Sequence, residues 1–229
     1  MKVTWLGQAG LLFDTGKSRV MIDPYFSNSV EKAAPQNYRR TPMKKELWET
    51  DPDVLIFTHD HLDHYDPETA SILLGGDRRK KTVLCPTSVW KKARTCSPIH
   101  NYVLFDRHTQ WTEKDVRFTA VKAAHSDSCA IGVIIRAEGK RLCVTGDTLY
   151  NTEVLEDIRT ATKEQVDVVF LPVNGVGNNM NATDAARFVV DCGAKLAVPI
   201  HVGMFDDLTG DILQVENKAV LATFESMEV

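Results

Sequence analysis

Short apolar runs recur along the chain, bounded by Gly, Pro, Asn and Asp. This is the pattern of many short strands with tight connections. Residues 2–6, 11–14 and 19–22 are separated by glycine turns and predict a β-meander. Residues 31–50 are polar, mixed in charge and proline-containing, and predict a loop near the functional edge. Strands over 53–58, 82–85 and 102–105 then alternate with helices over 67–74 and 88–94. Asp66 stands at the expected N-cap, with Pro67 in the first helical position. In the second half, 116–121, 130–136 and 141–145 read as strands, the last two joined by a Glu138-Gly139 turn. A helix follows over 153–160, then a continuous apolar strand over 166–173 that needs cover on both faces. A helix over 184–192 takes Thr183 as N-cap and ends at Gly193, before a last strand over 196–200. Two such halves, about 1–110 and 111–229, predict an α/β fold in one domain spanning 1–229. Its form is two sheets flanked by helices, a four-layer αββα sandwich. No repeat of fixed period is present.

The strand over 53–58 runs into Thr58-His59-Asp60-His61-Leu62-Asp63-His64. Three imidazoles and a second carboxylate at a strand end are not packing residues, because unpaired polar groups cost several kcal/mol to bury. Neutral imidazole and carboxylate are ligands for zinc and related divalent ions. In an extended chain, alternation sends His59, His61 and Asp63 to one side. His64 joins them only if the chain turns after Leu62, and that geometry suits two adjacent ions. Two four- or five-coordinate ions need about six or seven protein ligands. His125, Asp147 and His201 each lie just past an apolar strand, as expected where a sheet builds a site along one edge. His100 and His108 lack that setting and read as surface or loop residues.

Composition narrows the possibilities. Hydrophobic residues make up 43% and charged residues 25% of the chain, with a net charge of −4, ordinary values for a globular protein. The strongest basic run, Arg78-Arg79-Lys80-Lys81, reads as a solvated loop, so no nucleic-acid partner is expected. No run approaches the roughly 18–20 apolar residues of a membrane span, and the strand-like start predicts no export signal. Five widely spaced cysteines without a Cys-x-x-Cys pair predict reduced thiols and a cytoplasmic protein. Cys85, Cys143 and Cys192 read as core residues. Cys129 stands four residues past His125, near any pocket built there. A homo-oligomer is compatible with all of this.

Taken in order, His59-x-His61-x-Asp63-His64, His125, Gly146-Asp147-Thr148 and Pro199-Ile200-His201 resemble the motifs of the metallo-β-lactamase superfamily. Met21-Ile22-Asp23-Pro24 is similar to its first motif. The resemblance runs from Val3 to about Gly210. Val3-Thr-Trp-Leu-Gly-Gln-Ala-Gly, Leu171-Pro-Val-Asn-Gly, the run 177–185 and Pro199-Ile-His-Val-Gly-Met-Phe also resemble the L-ascorbate-6-phosphate lactonase branch. The superfamily resemblance implies one ion on His59, His61 and His125 and a second on Asp63, His64 and His201, with Asp147 bridging both. Asp23 would hold the ligand loop by hydrogen bonds, unless it is only a turn residue before Pro24. The ions would be zinc or manganese, with iron possible.

Two ions about 3.5–4 Å apart would share a water whose pKa falls toward ~7, giving a hydroxide nucleophile. Asp63 and Asp147 are then the catalytic carboxylates. The implied activity is hydrolysis of a small-molecule substrate, a lactone or a phosphate-containing compound; a phosphodiesterase is the alternative. Asn174, Asn179 and Asn181 lie on a glycine-containing connection after the strand over 166–173. Their amides suit a sugar or phosphate, unless the segment is a surface turn. Two other classes stay open: a di-iron redox protein of this fold and a scaffold without catalysis. Di-iron members use Glu where this chain has His61, and every ligand type a scaffold would have lost is present.

Overall fold

In the computed structural model, which describes all of residues 1–229, thirteen strands form two sheets. The first has the order β13-β1-β2-β3-β4-β5-β6 and the second β12-β11-β10-β9-β8-β7. The first comprises β1 (Lys2–Gly7), β2 (Gly10–Asp14), β3 (Arg19–Ile22), β4 (Val54–Ile56), β5 (Thr82–Cys85), β6 (Asn101–Leu104) and β13 (Ser226–Glu228). The second comprises β7 (Gln110–Glu113), β8 (Val116–Lys122), β9 (Ile131–Ala137), β10 (Lys140–Val144), β11 (Val168–Pro172) and β12 (Leu196–Ile200). The meander β1-β2-β3 is antiparallel, whereas β3-β4-β5-β6 and β10-β11-β12 run parallel.

Strict alternation explains the layering. Val20, Ile22, Val54, Ile56 and Leu84 enter the main core, which holds 41 buried residues between the sheets and beneath two helices. Their neighbours Met21, Leu55, Val83 and Cys85 face the other way, into a separate cluster of 13. That cluster is closed by α2 (Pro67–Leu74) and α3 (Thr87–Ala93) through Leu73, Leu74, Val89 and Ala93. On the far side α4 (Thr152–Thr162) and α5 (Ala182–Cys192) cover the second sheet with Val154, Ile158, Ala185 and Phe188. A sheet apolar on both faces needs cover on both faces, and the result is the expected αββα sandwich.

Several local expectations change. Asp66 caps α2 as expected, accepting from the Glu68 and Thr69 amides. The N-cap of α5 is Asn181, which accepts from the Asp184 amide, so the helix begins before Thr183. The loop over 31–50 contains α1 (Ser29–Ala33) and a 3-10 turn (Lys45–Glu49). Strands β7 and β13 are short edge elements without a strong apolar signal. The basic run is not simply solvated: Lys81 is buried and pairs with Asp51, and Arg79 pairs with Asp51 and Asp53. His100 is buried rather than on the surface, held between the Lys81 amide and the Leu74 carbonyl.

Candidate metal centre

The chain leaves β4 through buried Phe57 and Thr58 and then coils instead of staying extended. The amides of His64 and Tyr65 both donate to the His61 carbonyl, at 3.0 and 2.8 Å. This turn splits the motif. His59 and His61 face His125, with His59 Nε2 and His125 Nε2 lying 3.0 and 3.1 Å from His61 Nδ1. His64 swings back beside His201, at 3.3 Å between Nε2 atoms, and His201 Nε2 lies 3.2 Å from Asp63 Oδ2. Simple alternation therefore misplaced Asp63, which groups with His64 and His201.

The second sheet supplies the rest from the ends of β8, β10 and β12. Gly146 makes the approach of Asp147 possible: its φ is +60°, and a Cβ there would lie 2.6 Å from the Ile131 carbonyl oxygen. Asp147 sits between the two groups, with Oδ1 3.3 Å from His64 Nε2 and Oδ2 3.2 Å from His201 Nε2 and 4.0 Å from His125 Nε2.

Each ring has one nitrogen engaged outside the cluster. His64 Nδ1 donates to Asp23 at 2.8 Å, and His59 Nδ1 donates to Thr58 Oγ1, which donates in turn to Asp23. His125 Nδ1 donates to the Asn178 carbonyl at 3.1 Å. His61 Nε2 faces Ser126 Oγ, and His201 Nδ1 faces the amides of Asn174 and Gln8. The other nitrogen of every ring is turned inward. A tetrahedral ion with metal–nitrogen bonds of about 2.0–2.1 Å separates its donors by roughly 3.3–3.4 Å. The inward atoms stand close to that spacing and fall into groups of three whose atoms all lie within 4.8 Å of one another. The donor set therefore fits divalent ions.

Burial acts against charge throughout the cluster. It lowers the pKa of His59 and His125, keeping both rings neutral. Burial opposes ionisation of Asp63 and Asp147 too, yet the imidazoles of His64 and His201 hold both carboxyls well below the usual range. The same contacts overcome burial in the other direction, raising His64 and pushing His201 up to about 10. A bound ion would compete with protons for the inward nitrogens of those two rings.

Gln8 escaped the sequence reading. It is 3% exposed, follows β1 with φ +49°, and donates from Nε2 to Asp63 Oδ2 at 2.8 Å. Its carbonyl accepts from the His201 amide and the Trp5 indole. The only signal was its place in a Gly-Gln-Ala-Gly turn directly after a strand. Asn179 is also buried and donates to Asp147 Oδ2 at 2.8 Å. Asn174 and Asn179 line a cavity of about 250 Å³ over the cluster, with Asn37, Phe205 and Asp206 on its rim. Asn181 is absent from that lining and serves as the cap of α5. Cys129 does not line the cavity either. His108 is exposed and pairs with Asp157, on the outer side of the second sheet.

Residues 18–202 match the family model described as the β-lactamase superfamily domain. The chain belongs to the metallo-β-lactamase superfamily. Among its superfamily relatives, a UPF0173 metal-dependent hydrolase of Staphylococcus epidermidis is 25% identical over 250 aligned residues, covering 100% of both chains. A solved structure of a possible metal-dependent hydrolase from Veillonella parvula superposes with a TM-score of 0.76 at 16% identity, covering 100% of this chain and 99% of that one. An isothiocyanate hydrolase from Delia radicum gut bacteria gives a TM-score of 0.72 at 15% identity, with 100% and 99% covered. At such identities the two structures establish the shared superfamily fold and nothing about substrate.

Proposed function

We propose that this metal-dependent hydrolase holds two divalent ions, zinc or manganese with iron as a third option, and opens small lactones. His59, His61 and His125 would hold one ion, Asp63, His64 and His201 the other, and Asp147 would bridge them. The observation that carries this reading is the inward turn of one nitrogen on each of five imidazoles, with the outer nitrogens of His59, His64 and His125 donating to oxygen acceptors. Bound ions would supply an acidified water and a Lewis acid for the substrate oxygen. The chain's own residues do the remaining work. Gln8 holds Asp63, which would accept a proton, and Asn179 fixes Asp147. Asn174 and the backbone around Gly177 face the substrate, while Asn181 holds the loop in place by capping α5.

A lactone suits this cavity better than a phosphorylated substrate. Its volume of about 250 Å³ lies below the roughly 300–1,000 Å³ of sites for drug-sized ligands. Its lining contains no Lys or Arg, and Asp206 adds a carboxylate to the rim. Besides the ions, a phosphate group would find neutral donors alone: asparagine amides, the Ser126 hydroxyl and backbone N–H groups around Gly177. The L-ascorbate-6-phosphate lactonase resemblance is therefore favoured for its bond type over its phosphate. The whole chain, 1–229, would act as one catalytic domain. Five unpaired thiols favour the cytoplasm, and no helix is long and apolar enough to cross a membrane.

The test is reconstitution with zinc, manganese or iron, followed by a screen of lactones, phosphodiesters, cyclic nucleotides and thioesters. Metal-dependent opening of a lactone, lost in Asp147→Asn, is expected. Cleavage of phosphodiesters alone would replace the substrate assignment. Full metal occupancy without any turnover would favour the scaffold.

A further inference from the structure

A second cavity, of about 420 Å³, lies between strands β7–β9 and the last turn of α4. It shares no lining residue with the metal centre. Its lining carries Arg117, Arg136 and Lys163 against a single carboxylate, Asp157. This concentration of positive charge occurs in a chain whose net charge is −4.

Sheet register makes the concentration more pointed. Arg117 stands directly opposite Arg136 on β8 and β9, and Arg136 directly opposite Arg141 on β10. Like charges facing each other across strands destabilise a sheet unless something neutralises them. Arg141 is neutralised by Glu164 and Asp167. Arg117 donates only to the neutral Gln110 amide oxygen. Arg136 donates from Nη2 to the Ala161 and Thr162 carbonyls at 2.7 Å each, capping α4, and its Nε has no partner. Lys163 follows the helix in a left-handed conformation, φ +57°, and forms no ion pair. Asp157 cannot balance these cations. Its oxygens are taken by Arg107 at 2.9 and 3.0 Å, by His108 at 2.6 Å and by the Lys122 amide at 2.7 Å.

We propose that this pocket binds the phosphate group of a small phosphorylated molecule, held by Arg117, Arg136 and Lys163 with Gln110 and Thr119 as neutral hydrogen-bonding partners. A phosphate dianion would neutralise the facing arginines, and the guanidinium fork matches its oxygens in pairs. The cavity is roomy enough for more than the anion itself. The site stands independently of the metal centre, so its failure would leave the lactone reading untouched.

The experiment is calorimetric titration of the metal-loaded protein with inorganic phosphate and, separately, with AMP. It compares wild type with an Arg117→Gln/Lys163→Gln double variant. Arg136 is kept because it caps α4. Saturable binding in wild type, weakened about tenfold or more in the double variant, is the expected result. Tighter binding of AMP would assign the site to an organic phosphate, and equal binding to free phosphate. As a second readout, Arg117→Gln should melt above wild type in phosphate-free buffer, because the facing repulsion is removed, and should gain less stability from phosphate. Two results would overturn the proposal: no saturable binding at millimolar ligand, or binding unchanged in the double variant.

Discussion

Replacing Asp23 by Asn tests whether the histidine orientation comes from this buried carboxylate. Asp23 is 1% exposed and receives three donors: the Thr58 amide on Oδ1, and Thr58 Oγ1 and His64 Nδ1 on Oδ2. The variant keeps the volume, and Asn tolerates the left-handed φ of +43° at this position. It has one oxygen where the carboxylate has two. If its NH2 takes the Oδ1 place it faces the Thr58 N–H. If it takes the Oδ2 place it faces His64 Nδ1, which must then accept, moving the ring's proton to the inward Nε2. Either way one buried charge-assisted hydrogen bond is lost, about 1.5–3 kcal/mol. For a chain of this length that lowers the Tm by roughly 3–12 °C. In the second orientation the wrong tautomer, and in both the loss of the negative charge behind His64, should also cost about 10–100-fold in metal affinity. Thermal melting and titration against a competing chelator measure the two effects separately. A lowered Tm with wild-type metal affinity would show that Asp23 is only the turn residue before Pro24.

Three further outcomes are expected. Elemental analysis should find two ions per metal-loaded chain, and Asp147→Asn should reduce that number and abolish turnover while the circular dichroism spectrum stays native; a wild-type stoichiometry limited to one would remove the bridge. Asn174→Ala should lower catalytic efficiency by roughly 2- to 13-fold at full metal occupancy, whereas Asn179→Ala should lower metal affinity because its amide holds Asp147; identical effects in both would merge the two roles. Burial opposes ionisation of Asp53, but Lys114, the Arg19 amide and Arg79 depress its pKa to about 2. Such a carboxylate adds stability above its unfolded value of about 3.8, lost as pH falls through about 2. Asp53→Asn should therefore cost on the order of 2 kcal/mol at pH 7 and little at pH 2, as read from denaturant midpoints; an equal loss at both pH values would make the effect one of packing.

What could be read from the chain follows what is encoded locally. A strand ending in His-x-His-x-Asp-His announces its chemistry because no packing purpose accounts for it, and His125, Asp147 and His201 share the same strand-end context. The need for a turn after Leu62 was legible from His64; the way it forms, through two amides reaching the His61 carbonyl, was not. Gln8 and the Asn178 carbonyl carry no charge and act across large sequence separations; the Gly-Gln-Ala-Gly turn marks the place of Gln8 but not what its amide reaches. Asn181 looked like its neighbours in an asparagine-rich segment, and only the start of α5 reveals it as a cap. The edge strands β7 and β13 are short and half exposed, too weak in alternation to stand out. His100 lies in a loop as read, but its burial was not legible because its partners are two backbone groups brought together by the fold.

The proposed ions would also change how the molecule comes apart. Gln8, Asp23 and the His59–His64 turn belong to the first sheet, while His125, Asp147 and His201 belong to the second. The contact between His61 and His125 spans 64 residues of sequence, and that between His64 and His201 spans 137. A cation held across those pairs closes two long loops at once, with an entropic effect that grows only slowly with their length. Neither sheet could then open without dismantling both coordination shells. Amide hydrogens in the two sheets should exchange through one shared opening event in the loaded protein, and through separable ones after chelation.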